Sequence, residues 1–119
     1  MDILVTNNPL VLANFEKEFR IEFVDASLLD IFLLVRDYVH KGHSLLTHPL
    51  SGSIKPNETI YKTVLISADS GVVDEKSERI IGDCILKAQS FEPREIPAMY
   101  LKELQIVDFS LTRSAVSKA

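Results

Sequence analysis

The stretch Asp2–Pro9, which reads Asp-Ile-Leu-Val-Thr-Asn-Asn-Pro, decides the fold class. Its continuous aliphatic run is typical of a strand that is buried on both faces, as in a parallel sheet. Asn8 followed by Pro9 then indicates a helix start, because Asn caps free backbone N–H groups and Pro suits the first helical position. A strand that passes directly into a helix is the beginning of a βαβ unit.

Strand and helix signals alternate through the first half of the chain. The predicted elements are a helix over Pro9–Phe19, a strand over Ile21–Val24, a helix over Ser27–Lys41, and strands over Ser44–Thr47 and Tyr61–Ser67. The alternation predicts a single α/β domain over residues 1–119, in three layers, with a mostly parallel sheet of four to five strands and helices on both faces. The loop before the fourth strand lacks a crossover helix, which leaves the direction of that strand open.

The second half of the chain carries one strong helix signal and then becomes ambiguous. Asp74 is suited to cap a helix over Glu75–Phe91. After the prolines that follow, we expect a short helix over Pro97–Glu103 and a last strand over Leu104–Phe109. For Leu111–Ala119 a helix and a frayed end both remain open.

Composition excludes several classes of protein. The 119 residues, 46% of them hydrophobic and 25% charged, have the make-up of an ordinary globular domain. The net charge of −4 argues against a nucleic-acid partner. The longest apolar run, Ile31–Val35, is too short to span a bilayer, and no secretory signal opens the chain. We therefore expect a cytoplasmic protein with no membrane partner, in which Cys84, the single cysteine, is buried and inert.

Polar residues follow two of the predicted strands, where open α/β sheets bind their ligands. The predicted ligand-binding residues are Asn7, Asn8, Thr47, His48, Ser51, Gly52, Ser53 and Lys55. Amide donors at a helix N-terminus, a Ser-Gly-Ser nest and a lysine together suit a small anion such as phosphate or a carboxylate. This prediction requires the first and third strands to lie side by side with their ends at one rim. A purely structural interpretation, in which Asn8 and Ser27 only cap helices, stays open.

Three histidines, His40, His43 and His48, lie within nine residues and have the side chain that zinc prefers. They straddle a helix end and a predicted strand, so their side chains need not converge on one ion. No G-x-G-x-x-G or P-loop motif occurs, and we predict neither a metal nor a cofactor. His48 is the candidate catalytic residue, because histidine has a pKa suited to acid–base work near neutral pH.

Four stretches of the chain resemble the GrdX family: Thr6–Val11, Val35–Asp37, His40–His43 and above all Leu45–Thr59. Together they cover about half of the sequence. The resemblance implies a small cytosolic protein that is encoded with the genes of glycine reductase, the selenium-dependent system of amino-acid-fermenting anaerobes. It implies no established activity and supplies no catalytic residues.

Three hypotheses of function follow. The first is an accessory or small-ligand-binding protein of glycine reductase metabolism, with a small anion or a glycine reductase component as its partner. The second is a small hydrolase or transferase that acts on a phosphorylated or acyl metabolite, with His48 as its acid–base group. The third is a homodimer through residues 27–41, because the apolar side chains of that helix cover more than half of its circumference. Whether the protein is an enzyme stays open at this point.

Overall fold

A computed structural model of the protein describes residues 1–50 and 54–117. Its elements are β1 (Ile3–Thr6), α1 (Pro9–Phe15), β2 (Arg20–Phe23), α2 (Leu28–His40), β3 (Thr63–Ile66), α3 (Glu75–Ser90), a 3₁₀ turn (Ala98–Tyr100) and α4 (Leu101–Val116). The predicted starts of the first three helices are confirmed within one residue, since Asn8, Ser27 and Asp74 each accept a backbone N–H as a helix N-cap. No helix among these residues has both the length and the apolar character needed to span a membrane.

The sheet has the strand order β2-β1-β3 and mixed directions. β1 runs parallel to β2 but antiparallel to β3, so that Ile3 lies opposite Ile66 and Thr6 lies opposite Thr63. Leu45 adds one isolated antiparallel bridge to Ile66 on the outer edge of β3. The prediction of a mostly parallel sheet of four to five strands is therefore wrong for the described part of the chain. β3 runs antiparallel to the segment that ends at Thr47, because the described residues between them contain no crossover helix, which a parallel return would need.

The third strand, predicted over Ser44–Thr47, is reduced to the bridge at Leu45. Side-chain hydroxyls replace ladder partners along this segment. Ser67 Oγ accepts the N–H of Ser44 at 2.8 Å, and Thr47 Oγ1 accepts the N–H of Leu65 at 3.0 Å. Because these two N–H groups bond to side chains and not to backbone carbonyls, the pairing of this segment with β3 is limited to the single bridge.

The C-terminal part of the chain is one helix, α4, and the predicted strand over Leu104–Phe109 is wrong. The alternation of apolar residues in that stretch resembles a strand because the inward face of α4 is partly polar. Asp108 and Thr112 are both buried there, and Thr112 Oγ1 donates to the Asp108 carbonyl at 2.8 Å. Because polar residues occupy buried positions of this helix, the spacing of its hydrophobic residues alone does not show the helical period.

Helices cover both faces of the sheet and give two buried clusters. The cluster under α2 and α3 includes Ile3, Val5, Phe32, Val64, Ile66 and Ile81. The cluster under α1 and α4 consists of Leu4, Val11, Phe15 and Leu65. Each fully buried aliphatic or aromatic side chain contributes about 1.5–3 kcal/mol, so these clusters are the main stabilising term of the fold.

The wide apolar face of α2 packs inside this domain. Leu33, Leu34 and Tyr38 are partly buried against the cluster under α2 and α3, so the helix is covered on more than one side. Gly42 ends this region with a φ of +102°, which favours glycine, and a Cβ added there would lie 2.0 Å from the Gly71 carbonyl oxygen. The apolar excess of α2 is accounted for by intramolecular packing, and the homodimer through residues 27–41 stays a prediction.

Candidate functional site

Asn7 lies at the end of the sheet where β1 ends and β3 begins, and its side chain connects three segments. Its Nδ2 donates to the carbonyl oxygens of Ala26, at 2.9 Å, and Ile60, at 2.6 Å. Its Oδ1 accepts the backbone N–H of Lys62 at 2.8 Å. The side chain is 5% exposed, and its amide is engaged with the protein's own backbone.

The side chain of Asn8 forms hydrogen bonds both to the start of α1 and to α4. Its Oδ1 accepts the N–H of Leu10 at 3.0 Å, which is the helix cap that the sequence predicts. Its Nδ2 donates to the Gln105 carbonyl at 2.9 Å and to Asp108 Oδ2 at 3.0 Å. Asn8 is fully buried, so both ends of its amide are occupied within the fold.

A directed chain of hydrogen bonds leads from β1 to the Asp108 carboxylate. Thr63 donates its hydroxyl proton to Asp108 Oδ2 at 2.7 Å. A hydroxyl has one proton, so the 2.7 Å contact between Thr6 Oγ1 and Thr63 Oγ1 requires Thr6 to donate to Thr63. The N–H of Asn8 in turn donates to Thr6 Oγ1 at 3.0 Å. Asp108 Oδ2 therefore receives donors from both Thr63 and Asn8.

Lys62 and Asp108 are the two buried ionisable residues at this end of the sheet, with exposed fractions of 7% and 6%. Burial lowers the pKa of the Lys62 ammonium, and the charge of Asp108 partly offsets that effect. Burial also raises the pKa of the Asp108 carboxyl, although its hydrogen bonds from Asn8 and Thr63 oppose the shift. Among the described residues no carboxylate oxygen lies within 4.0 Å of the Lys62 ammonium.

A small cavity of about 20 Å³ lies beneath α4 and is lined by Lys62, Thr63, Asp108 and Thr47, among others. This volume is enough for about one water molecule. Thr47 reaches it from the outer edge of β3, so β3 lies between β1 and the predicted third strand. The expectation that the first and third strands lie side by side is wrong, but both segments run toward the same end of the sheet.

The other predicted ligand residues lie in or beside the loop that follows Thr47. His48 is exposed, and its Nδ1 accepts the N–H of Leu50 at 3.1 Å, which leaves Nε2 to carry the proton of the neutral ring. Lys55 is exposed in a turn closed by Glu58, whose Oε1 accepts the Lys55 N–H at 3.1 Å. The predicted residues Ser51, Gly52 and Ser53 lie outside the described residues.

The three histidines have separate surroundings. His40 is exposed at the end of α2, whereas His43 Nδ1 lies 2.8 Å from the Ser67 carbonyl oxygen and its ring packs edge-on against Tyr38. Across residues 1–50 and 54–117, no group of three His, Cys, Asp or Glu side chains could hold a metal ion. Cys84 is buried, as predicted, and burial raises the pKa of its thiol to about 11.

Sequence reasoning missed Lys62 and Asp108 as members of this site. Lys62 stands inside the predicted strand Tyr61–Ser67, where it is the one cation in a run of β-forming residues. Asp108 is the one charged residue in the apolar stretch Leu104–Phe109. A single charged residue inside an apolar run is the signal that could have identified Lys62 and Asp108 as site residues, because a charge is buried only where another group compensates it.

The fold and the sheet end define a small α/β domain in which a buried lysine and a buried carboxylate lie at one end of a mixed sheet. The model of the family described as GrdX-like protein matches residues 3–117. The chain therefore belongs to the GrdX-like family, which confirms the resemblance seen in its sequence. No curated protein and no solved structure matches the chain.

Proposed function

We propose that this protein is a cytoplasmic accessory protein of glycine reductase metabolism that binds a small anion at the sheet end, with Lys62 as the cation that attracts it. The setting comes from what the GrdX resemblance implies. The observation that supports an anion as the ligand is the burial of Lys62. This lysine is nine-tenths buried, and in the described part of the chain no carboxylate lies within 4.0 Å of its ammonium. A buried ammonium needs a compensating negative charge, and a bound anion supplies one.

We expect the anion on the side of Lys62 that lies away from the Asp108 carboxylate, because two negative charges repel each other. Asp108 lines the water-sized cavity beside Lys62. Thr47, at which the Thr47–Lys55 loop begins, lines the same cavity as Lys62 and the α4 residue Asp108. Lys62 therefore lies between α4 and the beginning of the loop.

The loop offers further groups of the right kind for an anion. His48 directs an N–H from its exposed ring, and Lys55 is an exposed cation. The predicted donors Ser51, Gly52 and Ser53 stay predictions. Asn7 and Asn8 act in this proposal as positioning residues, because Asn7 accepts the backbone N–H of Lys62 and thereby fixes where its side chain begins.

Thermal unfolding in phosphate tests the proposal. Inorganic phosphate and acetate are titrated at constant ionic strength, with chloride as the comparison salt, into the unaltered protein and into Lys62→Met. An anion that binds only the folded state stabilises it by about 2.7 kcal/mol at a hundredfold excess over the dissociation constant, which is several degrees in Tm. The matched control is Lys17→Met, which removes an exposed lysine elsewhere.

We expect phosphate or acetate to raise the Tm of the unaltered protein and of Lys17→Met, and to have no such effect on Lys62→Met. Equal shifts in the two variants would mean that the anion acts on overall charge, and the proposed role of Lys62 would be wrong. Lys62→Met is expected to fold, because methionine fills a similar volume and removes a buried charge.

The hydrolase or transferase with His48 as its acid–base group is the second candidate. The observation that favours it is the exposed ring of His48, whose Nδ1 is held by the Leu50 N–H so that Nε2 faces outward. His48→Asn separates the two functions. A turnover measured with an acyl phosphate that falls at least about a hundredfold in this variant would favour the enzyme. Anion binding that persists in the variant, with no turnover in either protein, would favour the accessory protein.

A further inference from the structure

An apolar groove with an acidic rim runs along the beginning of α4. Its volume is about 380 Å³, and its walls include Ile96, Pro97, Tyr100, Leu104 and Val107. Pockets of this size with mostly apolar walls and a few polar groups are typical binding sites. The groove shares no lining residue with the water-sized cavity at the sheet end, so the two sites are separate.

Exposed apolar side chains continue the groove onto the surface of the helix. Met99 is 76% exposed and Ile106 is 53% exposed, and Tyr100 and Val107 are also exposed. Tyr100 and Val107 are seven residues apart, which places them on one face of the helix two turns from each other. A contiguous apolar surface with a polar rim marks a site of interaction with another molecule.

The rim of the groove carries a net negative charge. Among the described residues, Glu58, Glu95 and Glu103 line it together with one cation, Arg94. Arg94 is itself 4.0 Å from Glu58, so that pair largely cancels. Glu95 and Glu103 then remain as uncompensated carboxylates beside the apolar walls.

From this complementarity we infer that the groove docks a cationic amphipathic helix of a partner protein. Apolar side chains at i, i+3, i+4 and i+7 of such a helix would enter the groove, while its lysines or arginines would meet the rim. The first seven residues of α4 span about 10 Å, which matches two turns of a partner helix. A second copy of this chain is a poorer occupant, because a symmetric contact would bring two acidic rims together.

Fluorescence anisotropy with a designed peptide tests this inference. The probe is a synthetic helix of about four turns, with leucines at the i, i+3, i+4 and i+7 positions of one face and lysines elsewhere. One comparison peptide has the same composition in scrambled order, and another has glutamates in place of the lysines. We expect the probe to bind at least about tenfold more tightly than either comparison peptide.

The variants are chosen in pairs that change the net charge equally. Val107→Asp introduces a carboxylate inside the groove, and Val72→Asp introduces one at a remote position that is 94% exposed. Glu103→Lys reverses one rim charge, and Glu16→Lys reverses an exposed charge elsewhere. We expect Val107→Asp and Glu103→Lys to weaken binding of the probe at least about tenfold, and the other two to leave it within about twofold.

Three results would overturn the inference. They are equal binding of the scrambled peptide, equal effects of Val107→Asp and Val72→Asp, and sedimentation of the unaltered protein as a dimer that Met99→Asp converts to a monomer. The last result would identify a second copy as the occupant. Met99→Asp also replaces Val107→Asp if that variant does not fold, because Met99 is mostly exposed. Lys62→Met should bind the probe normally, so failure of the anion site and failure of this groove are distinguishable.

Discussion

Replacing Asn8 with alanine should destabilise the protein strongly, although asparagine is usually a surface residue. The change removes the helix cap on Leu10, which is worth about 1 kcal/mol. It also removes the donor to the Asp108 carboxylate, where a hydrogen bond to a charged group is worth about 1.5–3 kcal/mol. With the loss of the bond to the Gln105 carbonyl, we expect the free energy of unfolding to fall by roughly 3–5 kcal/mol.

Urea unfolding followed by circular dichroism at 222 nm measures this change, because the protein contains no tryptophan. The matched control is Asn14→Ala, which removes an exposed asparagine of the same helix whose Nδ2 donates to the Leu10 carbonyl. An exposed side chain of this kind should change the free energy of unfolding by about 0.5 kcal/mol or less. The steepness of the transition should stay the same in both variants.

A double-mutant cycle with Asp108→Ala isolates the contact between the two side chains. If Asn8 and Asp108 interact as the structure shows, their coupling energy should be about 1 kcal/mol or more. A loss below about 1 kcal/mol for Asn8→Ala, or additive effects of the two changes, would refute the conclusion that this asparagine is part of the framework.

Three further predictions concern a glycine pair, the thiol and the carboxyl. Gly42→Ala should lower the free energy of unfolding by more than about 1 kcal/mol, because Gly42 has a positive φ. Gly82→Ala should raise the free energy of unfolding by about 0.5–1 kcal/mol, because a Cβ there meets open space. Denaturant unfolding measures both changes. Because burial raises the pKa of Cys84 to about 11, it holds about a hundredfold less thiolate near pH 8 than an unburied cysteine, and a disulfide reagent should label the native protein far more slowly than the denatured one. Equal labelling rates would contradict this. Burial raises the pKa of Asp108 in the folded state, so its contribution to stability is largest below an unfolded pKa of about 3.9 and is lost as pH rises through the folded pKa. The stability of the unaltered protein relative to Asp108→Asn should therefore fall between about pH 3 and neutral pH, and a rise would contradict the assignment.

The elements with local signals could be predicted from the sequence. Asn8 with Pro9 marks the start of α1, and Ser27 with Asp30 forms the capping box that begins α2. Both signals lie within a few residues of the atoms they satisfy, since a cap bonds to the next turn of its own helix. Asp74 marks α3 for the same reason.

The arrangement of the sheet could not be predicted in this way. The direction of β3 depends on the loop that follows Thr47, and Thr47 Oγ1 accepts the Leu65 N–H that a backbone carbonyl of a third strand would have accepted. Leu104–Phe109, in the middle of α4, is predicted as a strand because Asp108 and Thr112 interrupt the buried stripe of the helix. In each case the deciding contact joins residues distant in sequence, which periodicity does not report.

The candidate site shows the same division. Reasoning from strand ends brought together Asn7, Asn8 and Thr47, which all lie at one end of the sheet, and the binding of a ligand there stays a prediction. It assigned the two asparagines to a ligand, whereas their amides bond to the protein itself. Lys62 lies within a predicted strand, so the pattern gives no sign of a site there. Its proposed role depends on the burial of its side chain, which cannot be seen in the sequence.

Direct observation of the Lys62 ammonium by ¹⁵N-detected NMR tests whether this buried cation receives an anion. Burial lowers the pKa of Lys62, so its amine should titrate below the ordinary range of a lysine in the free protein. A bound anion favours the charged form, so adding inorganic phosphate should raise that pKa. A Lys62 pKa that is the same with and without phosphate would contradict the account.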